Sequence, residues 1–197
     1  NIDEPLFENY TNRLILANHS LKQLNIIPDD RFNGKYSCVC RLLNNCITPM
    51  GKRKFLYNLL NPVTDIEYLN KSYNITEHVL KNRDKSPNWE YYRTTLNDIR
   101  DIEKLRRKLV MKKITPKDFT LLYNNFGTIL SLYKSCNKDK ILMKFLHENI
   151  GEIEDMKEIS ELCINFRENI EKNLDLNKSK FIDDISHDKL GGYETNN

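Results

Sequence analysis

Cys38, Cys40 and Cys46 are the nearest this chain comes to a metal-ligand cluster. Zinc sites pair one C-x2–4-C element with a second, and here a single C-x-C stands with no matching pair. On a helix, residues two apart project about 200° from each other, which is poor geometry for chelating one ion. The spacing therefore predicts small, buried apolar side chains. With Cys136 and Cys163 the cysteines number five. An odd count without framework spacing fits reduced thiols in an intracellular protein. His19, His78, His147 and His187 are scattered, none beside a serine or cysteine in a nucleophile motif. The carboxylates fall on solvent faces at helical spacing, where no acid–base pair can be argued. The sequence holds no G-x-x-x-x-G-K-[ST] phosphate loop, no G-x-G-x-x-G and no H-E-x-x-H.

One basic concentration remains: Lys104, Arg106, Arg107, Lys108, Lys112 and Lys113. Lys and Arg neutralise phosphate without needing a motif. Asp98, Asp101 and Glu103 interleave with them, however, and a solvated helix face is the simpler reading. A net charge of +3 does not by itself mark a nucleic-acid binder. We assign no catalytic, cofactor-binding or metal-binding residue to the chain.

The elements that would position any site are helical. Six glycines and six prolines in 197 residues are too few for a many-turned β fold. Asparagine, at 25 residues, reflects an AT-rich gene more than a function. No apolar run approaches the ~20 residues that span a bilayer. The chain lacks an initial Met and reads as a piece of a longer protein. Residues 1–13 read as a linker or the end of a preceding domain, and 14–197 as one helical region. Leu14 to Ile27 is apolar but irregular, the pattern of a short strand running into a turn. Ser37 to Asn45 predicts a short helix with Val39, Leu42 and Leu43 inward.

Thr48 then caps a helix with Pro49 in its first turn, and Phe55, Leu56, Leu59 and Leu60 line one stripe. Asn61-Pro62 ends it, because proline pushes the preceding residue out of the α region. Thr64 to Glu67 reads as a capping box, Thr64 bonding forward and Glu67 back. Ile66, Leu69, Tyr73, Val79 and Leu80 carry the next apolar face. Pro87 sits near the start of another helix. Trp89 to Leu96 runs on at helical spacing through Ile99, Ile102, Leu105, Leu109 and Val110. Thr115-Pro116 repeats the start signal, with Asp118 in the first turn and an apolar series from Phe119 to Tyr133. Cys136 to Lys138 breaks the pattern. Lys140 to Asn149 is a short helix. A long one follows, with Met156, Ile159, Leu162, Cys163, Phe166 and Ile170 on one face. The last stretch, 188–197, has no pattern.

Punctuation this dense, with no chemistry, has a family precedent. Ile47-Thr48-Pro49-Met50-Gly51-Lys52-Arg53, followed by Leu59-Leu60-Asn61-Pro62-Val63-Thr64-Asp65-Ile66, resembles the R-T-P-M-G-x-R…W-L-x-x-P-L-x-D-I signature of the MutS family's core, or lever, domain (domain III). Leu16 to Ile26 is similar to the family's L-D-A-A-T-x-R-N-L-E-I segment. Ser37 to Cys46 stands where the family has a short S-L-x-x-L-L helix. Ile99 to Leu109 is similar to I-x-D-L-E-R-L-x-x-R-L, and Ile114 to Phe126 follows where N-P-R-D-L does. The four blocks keep the family's order over residues 14–135. Arg106 departs from the apolar residue usual there, and 137–197 carry little signature.

The resemblance implies an all-α, elongated lever with a short non-helical or β lead-in. It would be non-catalytic, and would mechanically couple DNA binding to an ATPase domain elsewhere in a DNA mismatch-repair protein. It also implies mismatched double-stranded DNA and a second MutS-like subunit as partners. ATP and Mg2+ would serve as cofactors of the complete, DNA-dependent ATPase, with no membrane role. The clamp insertion and the ATPase domain would lie outside this sequence. The family's DNA contacts lie mainly in other domains, so no DNA-contacting residue carries over. The rival class is a helical protein-interaction adaptor with no nucleic-acid role. A downstream G-x-x-x-x-G-K-[ST] separates the two.

Overall fold

The structure, a computed structural model, describes residues 13, 14, 16–29, 31, 33–81, 87–149 and 156–182. The readings made for residues 1–12, His187 and 188–197 lie outside the described residues, as does that for the Met156 side chain. Among the described residues the chain is all-α, with ten helices and no strand. It divides into two compact units, Asn1–Lys81 and Asn82–Asn197.

The first unit holds α1 (Asn18–Gln23), α2 (Val39–Leu43), α3 (Pro49–Leu60) and α4 (Ile66–Lys81). The strand expected between Leu14 and Ile27 is instead α1, and β pairing is confined to one antiparallel bridge between Arg13 and Val63. What decides for helix is the ending. Asn25 takes φ 52°, a left-handed turn that asparagine tolerates. Its N–H bonds the Lys22 carbonyl at 3.0 Å, and that of Ile26 bonds Leu21 at 2.9 Å, the double closure of a Schellman motif. The Asn25 and Ile26 carbonyls then accept the N–H groups of Val39 and Cys40, both at 3.0 Å. Docked by its first turn, α2 buries Cys40, with Cys38 buried just before it, while Leu42 and Leu43, expected inward, are exposed. On α4 the expected apolar face is also turned: Ile66, Tyr73 and Leu80 are exposed.

The second unit holds α5 (Trp89–Asn97), α6 (Ile102–Val110), α7 (Pro116–Cys136), α8 (Lys140–Asn149), α9 (Met156–Asn173) and α10 (Leu176–Ser179). Helix α7 is its spine and touches each of the others. The periodicity that ran from Trp89 to Val110 is broken at Asp98–Asp101. There Asp101 caps α6 by accepting the Lys104 N–H at 3.1 Å. Asn88, one residue after Pro87, caps α5 through the Tyr91 N–H at 3.0 Å. Facing α7, α9 buries Cys163 and Ile170 and sets Phe166 edge-on against Phe126 at 4.9 Å. Leu162, expected on that face, is exposed.

A capping box forms at Thr115 rather than at Thr64. The Thr115 hydroxyl accepts the Asp118 N–H at 3.2 Å, and Asp118 Oδ2 accepts the Thr115 N–H at 3.1 Å. Asp118 is buried, and both its oxygens also accept from Lys108 Nζ at 2.8 Å. Burial alone would raise this carboxyl. The Lys108 ammonium and the Thr115 bonds outweigh that and hold it below the usual carboxylate range. A carboxylate with a depressed folded pKa contributes stability that is complete above its unfolded value and is lost as pH falls through the folded one. Asp118→Asn should therefore destabilise the chain by about 1–3 kcal/mol at neutral pH. The gap to wild type should close as pH drops below about 3.9. Urea melts at pH 7 and pH 3 read this directly. A gap of equal size at both would show that the ionised carboxyl contributes nothing.

Candidate functional site: the helix joints

The joint between α3 and α4 is built by side chains on both sides of Pro62. At the far end of α3, Thr48 Oγ1 accepts the Gly51 N–H at 3.0 Å, with Pro49 in the first turn. A side chain at position 51 would make the cap shift, since its Cβ would stand 2.8 Å from that oxygen. At the near end the N–H and the side-chain amide of Asn61 both bond the Tyr57 carbonyl at 2.9 Å. The lead-in segment then closes over the joint. Arg13 Nη1 donates to the Asn61 carbonyl at 2.7 Å, its guanidinium lies 5.0 Å from the Tyr57 ring, and the Leu14 N–H bonds the Pro62 carbonyl at 2.8 Å.

Across the joint, α4 begins at Ile66. Its cap is Asp65, whose Oδ1 accepts the N–H groups of Glu67 at 2.9 Å and Tyr68 at 3.1 Å. The predicted Thr64–Glu67 box does not form. Asp65 and Thr64 compete to cap the same turn, and the carboxylate adds favourable charge at the helix N-terminus. Glu67 instead pairs forward with Lys71 at 3.0 Å.

The next two joints lie in the second unit. Between α5 and α6, Asn125 of α7 is fully buried. Its Oδ1 accepts the Arg100 N–H at 2.9 Å and its Nδ2 donates to the Arg100 carbonyl at 3.3 Å. Between α6 and α7, Lys112 takes φ 55°. The N–H groups of Lys112 and Lys113 bond the Leu109 and Lys108 carbonyls at 3.0 and 2.9 Å, a second Schellman closure.

Among the described residues, the histidines lie on separate helices, His19 on α1, His78 on α4 and His147 on α8. The cysteine geometry differs from the helical expectation. Cys38 is the residue before α2, in extended conformation at φ −160° and ψ 162°, so the 200° separation does not apply. Its Sγ lies 3.3 Å from that of Cys40. Burial works to raise the Cys38 thiol, but the Arg41 N–H and the Cys40 thiol hold it below its usual value. Burial and the adjacent Cys38 push Cys40 up. No group of three or more potential metal ligands occurs among the described residues.

Of the six cations singled out in the sequence, Lys108 is turned inward to Asp118. Lys104, Arg106, Arg107, Lys112 and Lys113 are exposed. Asp65, Arg13 and Asn125 escaped sequence reasoning. The D-x-x-Y overlapping T-x-x-E was a readable signal for Asp65. The other two act on partners far along the chain and leave no local trace.

Comparison with known proteins agrees with this architecture. The family model of MutS domain III matches residues 19–189. A DNA mismatch repair protein mutS homolog of Acanthamoeba polyphaga mimivirus is 30% identical over 155 residues, covering 76% of this chain and 13% of that protein. The DNA mismatch repair protein MutS of Methanosarcina acetivorans is 31% identical over 153 residues, 77% of this chain and 16% of that one. The MutS of Borrelia turicatae is 28% identical over 199 residues, 93% and 23% respectively. The chain thus spans less than a quarter of the length of these curated relatives. On the extent of the domain match and the identity to the mimivirus and Methanosarcina proteins, the chain belongs to the MutS family and corresponds to its domain III.

Proposed function

We propose that this chain is a lever element of a MutS-like DNA mismatch-repair protein, mechanically coupling DNA binding to ATP hydrolysis elsewhere in the complete molecule and itself non-catalytic. Residues 14–197 would form the first part of that lever. Mismatched duplex DNA, a second MutS-like subunit, and ATP with Mg2+ would be ligands of the complete protein. The observation that carries the reading is the domain III match over residues 19–189. The joints support it physically: coupling between distant sites is carried by rigid elements with discrete arrangements, and each joint here is held by directional bonds from side chains rather than left as a flexible loop. No described helix is long and apolar enough to cross a membrane.

The isolated chain should bind duplex DNA weakly, without mismatch preference, through exposed cations on and just after α6. If all five neutralised phosphates, affinity would fall up to about 500-fold between 50 and 200 mM salt. Titration of matched and mismatched duplexes at both salts checks this. Tight binding with clear mismatch preference would move the recognition surface into this domain.

The coupling itself is tested at the first joint. Asp65→Ala should remove the α4 cap and cost about 1 kcal/mol, whereas Thr64→Ala should cost a few tenths at most. In the complete protein, Asp65→Ala should reduce the stimulation of ATPase rate by mismatched DNA and leave nucleotide affinity unchanged, because a frayed helix start lets the joint bend without passing on its movement. Equal stimulation in Asp65→Ala and wild type, with melting confirming the lost cap, would make the joint a plain corner.

A further inference from the structure

A cleft of about 590 Å³ opens beside α7 in the second unit. Two guanidinium-bearing residues, Arg100 and Arg167, line it, with Asp98 as the one carboxylate in the lining, so its side chains carry a net +1. Helix α7 holds the head of Arg167 and the backbone of Arg100. Arg167, from α9, lies with its guanidinium 4.3 Å from the Tyr123 ring, and its Nη2 donates to the Tyr123 hydroxyl at 2.8 Å. Its head is seated over Gly127, where a Cβ would stand 3.3 Å from Cζ and Nη1. The Tyr123 hydroxyl in turn donates to Glu171, so that carboxylate is reached through the phenol. Arg167 Nε is buried with no hydrogen-bond partner, an arrangement native proteins rarely keep without reason. Arg100 is fixed by the two bonds its backbone makes with Asn125, and among the described residues no carboxylate pairs with its guanidinium.

The rest of the lining is mixed, Leu121 and Gly127 standing among hydroxyl and amide side chains. The Thr95 and Thr128 hydroxyls donate to the Tyr91 and Asn124 carbonyls at 2.8 and 3.2 Å, which leaves each oxygen able to accept. The seated Arg167 guanidinium, with the exposed Arg100 side chain also in the lining, can donate to a phosphate's oxygens, and the hydroxyl oxygens match a ligand that also brings O–H donors. A duplex backbone is bound by neutralising many phosphates in a row, and the lining of this cleft holds two cations beside one carboxylate. We propose that the cleft binds a small phosphate monoester, its phosphoryl group between Arg100 and Arg167 and its hydroxyl-bearing body against Thr95 and Thr128. This stands independently of the lever reading.

The test is a titration of the 197-residue chain with inorganic phosphate, then with glycerol phosphate, followed by backbone amide NMR at constant ionic strength. Saturable shifts confined to Asn124, Gly127, Thr128 and their neighbours are expected, with glycerol phosphate binding more tightly. Arg167→Gln should weaken both at least tenfold. Gly127→Ala, which sets a Cβ 3.3 Å from Cζ and Nη1, should weaken both by shifting the Arg167 head. Melting curves of both variants separate lost binding from lost folding: weaker binding with an unchanged melting temperature places the loss at the cleft. Equal shifts with chloride or acetate, phosphate binding untouched by either variant, or displacement of bound phosphate by duplex DNA would overturn the proposal.

Discussion

One buried amide sets the arrangement of the second unit. Asn125 has no exposed surface, and both ends of its side chain are bonded to the peptide of Arg100. An amide left without partners in that position would cost about 1–3 kcal/mol, so the corner between α5 and α6 is held in one place relative to α7. The corner in turn fixes where α6 runs, and therefore where Lys108 meets Asp118. That ion pair and the Thr115 capping box together set the start of α7. A second tie, in which the Ser135 hydroxyl donates to that of Tyr91 at 3.1 Å, fixes α5 farther along the same helix. The apolar contacts of α8 and α9 are then made against a spine whose register polar groups have already determined.

The first unit is organised differently. Neither α3 nor α4 has a buried residue, and the buried apolar positions are Leu21, Cys38 and Cys40. Directional bonds at helix ends replace a deep core: α1 closes on itself, the Asn25 and Ile26 carbonyls just past its end receive α2, and Arg13 bridges to the end of α3. Exposed pairs along α4, Glu67 with Lys71 and Glu77 with Lys81, add only a few tenths of a kcal/mol each. Such a unit resists distortion at its joints while leaving its helix faces apolar and exposed at Ile66, Tyr73 and Leu80.

Local chemistry was readable in the sequence where one residue type dominated. Thr48-Pro49 and Thr115-Pro116 start helices as read, and α8 spans the residues predicted, because caps and prolines act within a turn. Reading failed where two local signals overlapped or where a distant group chose between them. Asp65 displaced Thr64 as cap one residue on. Asp101 and Asn125 together broke a helical period that continued unbroken in the sequence from Trp89 to Val110. Cys38 and Cys40 were assigned to one helix, but the helix starts after Cys38, which brings the thiols together. The Arg167 cleft left no sequence signal, since Tyr123, Gly127 and Arg167 meet only when α9 packs on α7.

The joints also differ in how firmly they are held, and on the lever reading that difference has a direction. Helix α7, at 21 residues, is a strut of about 32 Å, and its joint to α6 is closed by a buried, charge-assisted pair in addition to the Schellman bonds. The α5–α6 corner is held by a fully buried amide. The α3–α4 joint relies on Arg13 and Asp65, both bonded where water can compete. Hydrogen bonds exchanged for water are worth about 1 kcal/mol, and those lost in the interior cost the full desolvation of the group left behind. Of these three joints, the one at residues 61–65 is therefore the least costly to distort.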